Sequence, residues 1–81
     1  MLMTNIEKTV QKFLTRPKSL RYEEIEKTLI LLGFDLIPAK GSHKKFKHPA
    51  LKYDLVIPVH NNDCKNFYKI HAAKIVKENI L

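Results

Sequence analysis

Gly41-Ser42-His43-Lys44-Lys45-Phe46-Lys47-His48-Pro49 is the stretch whose reading decides the fold of this chain. Gly41-Ser42 reads as one turn and His48-Pro49-Ala50 as another. Between them, Ser42 to Lys47 reads as a half-buried strand. Phe46 is its natural core residue. Lys44 and His48 share that parity, so His43, Lys45 and Lys47 point to the opposite face. One face therefore asks for a covering layer, and the other is left to solvent.

Working outward, Phe34 to Lys40 reads as a strand before this one and Tyr53 to Val59 as a strand after it. Tyr53, Leu55, Ile57 and Val59 share one parity and are expected in the core. Asp54, Val56, Pro58 and His60 share the other, which sends His60 toward the face of His43. Pro58 places the third strand at a sheet edge or marks its end. Upstream, a helix is expected from about Arg21 to Leu32. Glu23, Glu24 and Glu26 suit the start of its dipole, Ile25, Leu29 and Leu32 form an apolar stripe, and Gly33 is the stop. A first helix, from about Thr4 to Leu14, has Ile6, Val10, Phe13 and Leu14 on one face and Thr4 or Asn5 as its cap. Pro17 breaks the chain between the two. A last helix is expected from about Asn66 to Glu78, with Ile70, Ala73 and Val76 or Lys77 on its inner side. The order helix, helix, three strands, helix predicts an α+β fold. Its simplest form is a three-stranded antiparallel sheet with helices on one face.

The 81 residues predict a single domain, and 44% hydrophobic residues suffice for a modest core. Lys plus Arg number 15 against 8 acids, a formal net charge of +7, which favours a polyanionic partner. Met1-Leu2-Met3-Thr4-Asn5 lacks the pattern of a signal peptide, and Leu29-Ile30-Leu31-Leu32 is too short to span a bilayer. No membrane partner is expected. The single cysteine, Cys64, allows no internal disulfide and fits a reducing cytoplasm. It reads as an unactivated thiol in a loop. His71 reads as an ordinary helix residue. Tyr22, Tyr53, Tyr68, Phe34 and Phe67 are expected in the core or as staples rather than as base-stacking platforms. Gly33 and Gly41 cannot make a phosphate loop of the Walker type. No metal site is expected, because no Cys or carboxylate completes a ligand set around His43 and His48.

The row His43, Lys45, Lys47 carries the chemistry. Next-but-one residues on a strand lie about 6.5–7 Å apart, close to the phosphate spacing of a nucleic-acid strand. Imidazole titrates near neutrality and can take the proton of an RNA 2′-hydroxyl. The lysines can stabilise charge building on phosphoryl oxygens. His43 is thus the candidate general base, Lys45 and Lys47 the phosphate contacts, and Lys44 a further RNA contact. The leaving 5′-oxygen needs an acid, for which His48, His60 and a lysine are all candidates. Two other readings remain. One is a non-catalytic RNA-binding module, which predicts salt-sensitive binding without products. The other is an interaction domain whose basic face docks an acidic protein.

Several motifs together resemble the HicA-type toxins of bacterial toxin–antitoxin pairs. They are Arg21-Tyr22-Glu23-Glu24, Leu32-Gly33-Phe34, Lys40-Gly41-Ser42-His43 with Phe46 and His48-Pro49, and Leu55-Val56-Ile57-Pro58-Val59-His60 before a C-terminal helix. The resemblance covers roughly residues 20–81 and leaves 1–19 as a helical extension and connector within the one domain. It implies a fold like a double-stranded-RNA-binding domain and cleavage of mRNA without metal, cofactor or ribosome. It also implies His43 as the catalytic residue and neutralisation by a HicB-type antitoxin. Two features depart from the family pattern. The first helix is additional, and the loop Asn61-Asn62-Asp63-Cys64-Lys65-Asn66 lacks the glycine-containing stretch common there.

Overall fold

A computed structural model describes residues 4–81. Helix α1 spans Asn5–Thr15. Thr4 caps it: its Oγ1 accepts the Glu7 amide at 3.1 Å and donates to the Glu7 carboxylate at 3.1 Å. Such a cap contributes about 1 kcal/mol. A 3₁₀ turn, Pro17–Ser19, delivers Leu20 into the core. Helix α2 spans Tyr22–Leu31. It ends in a Schellman motif, with Phe34 N–H on the Leu29 carbonyl at 3.0 Å and Gly33 N–H on the Ile30 carbonyl at 3.1 Å. Gly33 takes φ +96° there, where a side chain is strained.

Strands β1 (Asp35–Ile37), β2 (His43–Lys47) and β3 (Leu55–Pro58) form one antiparallel sheet in sequence order. Leu36 and Leu55 flank Phe46 in the register, and Ile37 and Val56 flank Lys45. Helix α3, Asn66–Asn79, completes the chain. Phe46, Leu55 and Ile57 are buried in one core with Phe13, Leu20, Ile25, Leu29, Phe34, Ala72 and Val76. The helices therefore cover the Phe46 face, and the α+β layering anticipated from the sequence is the fold observed.

Several expectations need correction. β1 stops at Ile37 rather than Lys40, because Pro38 has no amide to donate to the ladder. Tyr53 precedes β3 in an irregular turn and is 77% exposed instead of buried. Phe67, at 68% exposure, is also outside the core. Ile70 is exposed because the inner face of α3 is Lys69, Ala72, Ala73 and Val76. The stripe is set by Lys69, whose Nζ lies 3.2 Å from Asp63 Oδ1. In α1 only Phe13 is fully buried; Val10 and Leu14 are half-buried and Ile6 is exposed.

The loop between β3 and α3 needs no glycine. Asn61 and Asn62 both adopt positive φ, 53° and 63°. His60 and Asp63 exchange both backbone hydrogen bonds around them, at 2.8 and 3.0 Å. This is the geometry of a type I′ turn, which asparagine tolerates well. It delivers Asp63 to three donors. Asp63 Oδ1 accepts from the Tyr22 amide at 2.9 Å, the Cys64 amide at 2.8 Å and Lys69. Burial opposes the charge of Asp63, but the two amides and the ammonium outweigh it and hold the carboxyl below its usual range.

Removing the carboxylate strands a buried ammonium and an uncapped helix amide. Asp63→Ala is therefore expected to cost about 3 kcal/mol in urea unfolding, and Lys69→Met distinctly less, because Asp63 keeps its amides and its access to water. Equal losses would contradict this. A depressed carboxyl stabilises the fold fully above its unfolded pKa, about 4, and loses that contribution as pH falls toward its folded value. Below about pH 4 the parent should thus lose stability more steeply than Asp63→Asn.

Candidate functional site

β2 is the central strand, so both its faces are defined by neighbours. His43, Lys45 and Lys47 are exposed, while Phe46 is fully buried. The three sit in one row on the open face, as the alternation requires. Their cross-strand partners differ. Pro58 lies opposite His43, Ile37 and Val56 flank Lys45, and Asp35 lies opposite Lys47. Paired residues share a face, so Asp35 brings a negative charge to the side of Lys47, although the two form no ion pair. Lys45 stands between apolar neighbours with its charge unopposed across the strands.

The other candidates separate. Lys44 is half-buried on the helix side and lines a polar groove with Arg21, Glu23 and Glu26. It is not part of the row. His48 follows the far end of β2, and both ring nitrogens are engaged. Nδ1 accepts the Ala50 amide at 3.0 Å. The proton is thereby assigned to Nε2, which donates to the Leu32 carbonyl at 3.1 Å. The ring also packs on Phe34 with centroids 4.8 Å apart. His48 thus closes the end of α2, and a Cβ on Gly33 would come within 3.3 Å of its Nε2.

His60 is exposed at the same end of the sheet as His43. The Val59 amide donates to the Ser42 carbonyl at 2.7 Å, which carries the β2–β3 register one step past His43 and Pro58. His60 then shares a groove of about 330 Å³ with Pro58, Lys65 and Tyr68. Lys65 and Tyr68 had no signal in the sequence, since neither carries a spacing that ties it to β3. Cys64 also lines this groove; burial pushes its thiol up, so it stays protonated at neutral pH. Its reading as an unactivated thiol fits. Among the described residues, no three His, Cys, Asp or Glu side chains gather to hold a metal ion, and no helix is long and apolar enough to cross a membrane.

The surface that emerges is a basic row with one imidazole at its end, on the face of the sheet that the helices leave open. A family described as the HicA toxin of bacterial toxin–antitoxin matches residues 22–68. The chain belongs to the HicA toxin family. Comparison with curated proteins and with solved structures gave no match. The matched span holds α2, the whole sheet with His43, and the start of α3; α1 and the rest of α3 lie outside it. Membership in the HicA family makes the protein the toxin of a toxin–antitoxin pair and implies an antitoxin partner.

The hydrogen bonds of His48 make it structural in a HicA fold of this kind. His48→Ala is expected to cost about 1–3 kcal/mol, by stranding the Leu32 carbonyl and the Ala50 amide. Nitrogen chemical shifts in the parent should show the proton on Nε2; the opposite tautomer would overturn the assignment.

Proposed function

We propose that this toxin is an mRNA endoribonuclease that acts without metal or ribosome, uses His43 as general base, and is neutralised by a HicB-type antitoxin in the cytoplasm. The observation that carries the reading is the exposed row His43, Lys45, Lys47 on the open sheet face, within the span matched by the family. A single RNA strand laid along β2 puts successive phosphates near successive members of the row.

The chemistry needs three groups. The His43 imidazole takes the proton from a 2′-hydroxyl, and the oxygen so freed attacks the adjacent phosphorus. Lys45 stabilises the charge that builds on the non-bridging oxygens, and Lys47, tempered by Asp35, holds the backbone beside it. The bond from phosphorus to the 5′-oxygen breaks, leaving a 2′,3′-cyclic phosphate. The departing 5′-oxygen takes a proton from His60, which lies at the same end of the sheet as His43. His48 does not serve, because its nitrogens are occupied and it lies on the helix side. Lys44, facing the helix-side groove, has no part in the transfer.

The test is cleavage of single-stranded RNA by the purified protein with a chelator and no ribosomes. His43→Ala is expected to lower the rate by about 10²–10⁴-fold and to leave RNA binding largely intact. His60→Ala should slow cleavage, whereas His48→Ala should keep its rate wherever it is folded. Cleavage undiminished in His43→Ala would overturn the mechanism. Intact RNA with the folded parent, beside salt-sensitive saturable binding, would instead identify a non-catalytic RNA-binding module.

A further inference from the structure

The 3₁₀ turn after α1 and the outer flank of α3 enclose a groove of about 540 Å³. Its apolar lining comes from Leu14, Pro17, Ile70 and Ala73. Four cations, Arg16, Lys18, Lys74 and Lys77, also line it, and no acidic residue does. Lys74 lies 3.8 Å from Glu78 along the exposed face of α3. Arg16, Lys18 and Lys77 are in no ion pair among the described residues. Ile70, the residue that the inner stripe of α3 leaves out, is 47% exposed here. All the lining residues fall outside the span 22–68 matched by the family. The groove belongs to the helix layer, so it does not share a surface with the open face of the sheet.

We propose that this groove docks an acidic, amphipathic segment of a protein partner. Apolar side chains of the segment pack on Leu14, Pro17 and Ile70, with the buried Ala73 as the floor between them, and its carboxylates meet the four cations. RNA has the charge for this groove but not the surface. No aromatic ring lines it, so bases have nothing to stack on, and the apolar lining would face phosphates. The antitoxin implied by the family is the natural carrier of such a segment. The inference rests on that membership and not on the chemistry of His43. It also gives the additional helix α1 a task, since its last turn and the following connector form one wall.

The full chain, labelled with ¹⁵N, is titrated with a peptide of about twelve residues carrying leucines at helical spacing among glutamates. A counterpart with lysines in place of the glutamates and a short single-stranded RNA are titrated in parallel, at about 0.15 M salt. The acidic peptide is expected to saturate and to shift the amide signals of residues 14–16, 18–19 and 70–77; the basic peptide should not. The double variant Lys18→Glu/Lys77→Glu, at two exposed positions, should weaken binding by about tenfold or more. Ile70→Ser should weaken it through the apolar lining. Both variants should cleave RNA at the parental rate. The proposal is overturned if RNA rather than the acidic peptide shifts these signals, if the peptide binds only on the open face of the sheet, or if the variants bind as the parent does. Peptide binding at the groove by a parent that cuts no RNA would sink the nuclease reading and leave this one standing; cleavage without peptide binding would do the reverse.

Discussion

The ion pair between Lys69 and Asp63, 3.2 Å apart, is the contact on which the rest of the arrangement depends. Lys69 is almost fully buried, and an ammonium can be held there only beside a carboxylate. Asp63 does more than neutralise it. The same oxygen caps α2 through the amide of Tyr22, 41 residues away in sequence, and fixes the turn that leaves β3 through the amide of Cys64. Three segments that share no local signal are thus tied to one atom. Tyr22 continues the cluster: its hydroxyl donates to Glu26 at 2.7 Å, and burial followed by that carboxylate raises its pKa. Such a pair adds little net stability over an apolar substitute, but it lets Lys69 share the inward face of α3 with Ala72, Ala73 and Val76.

That constraint explains where sequence reasoning succeeded and where it failed. The parity of β2 was legible because one aromatic residue among lysines admits a single inward assignment, and Phe46 is fully buried. The stop at Gly33 was legible because a Schellman ending needs positive φ. The inner face of α3 was legible at Ala73 and Val76, which are buried, but not at Ile70 and Lys69. An apolar stripe through Ile70, Ala73 and Val76 is the better hydrophobic pattern, yet Lys69 takes the inward position because Asp63 waits for it. Nothing local to either residue announces the pair. Tyr53 fails for a different reason. Alternation assigns it to the core only if the strand reaches it, and β3 begins two residues later.

The site shows the same division. Residues on one strand could be sorted by parity, so the row His43, Lys45, Lys47 was readable before any fold was known. What each cation is worth was not readable, because that depends on register: Asp35 sits opposite Lys47, while Ile37 and Val56 flank Lys45. The candidate acids separate only in three dimensions. His48 and His60 look alike in sequence, each next to a turn. One is spent on a helix-end carbonyl, and the other stands at the free end of the sheet.

This separation decides how losses of activity should be interpreted in so small a protein. A domain of 81 residues buries a modest core and has little stability to spare. A lost rate can therefore mean lost chemistry or a lost fold. The side chains of His43, Lys45 and Lys47 are exposed, stand outside the buried core and make no side-chain ion pair among the described residues, so truncating them costs little in folding. His48, Asp63 and Lys69 are polar too, but each satisfies groups that would otherwise be stranded. Their removal lowers activity by unfolding the frame that presents the row. The polar residues of this fold thus divide by what their hydrogen bonds already do. Those whose hydrogen bonds and ion pairs close within the protein hold the sheet and helices together, and those of the row are left exposed on the open face of the sheet.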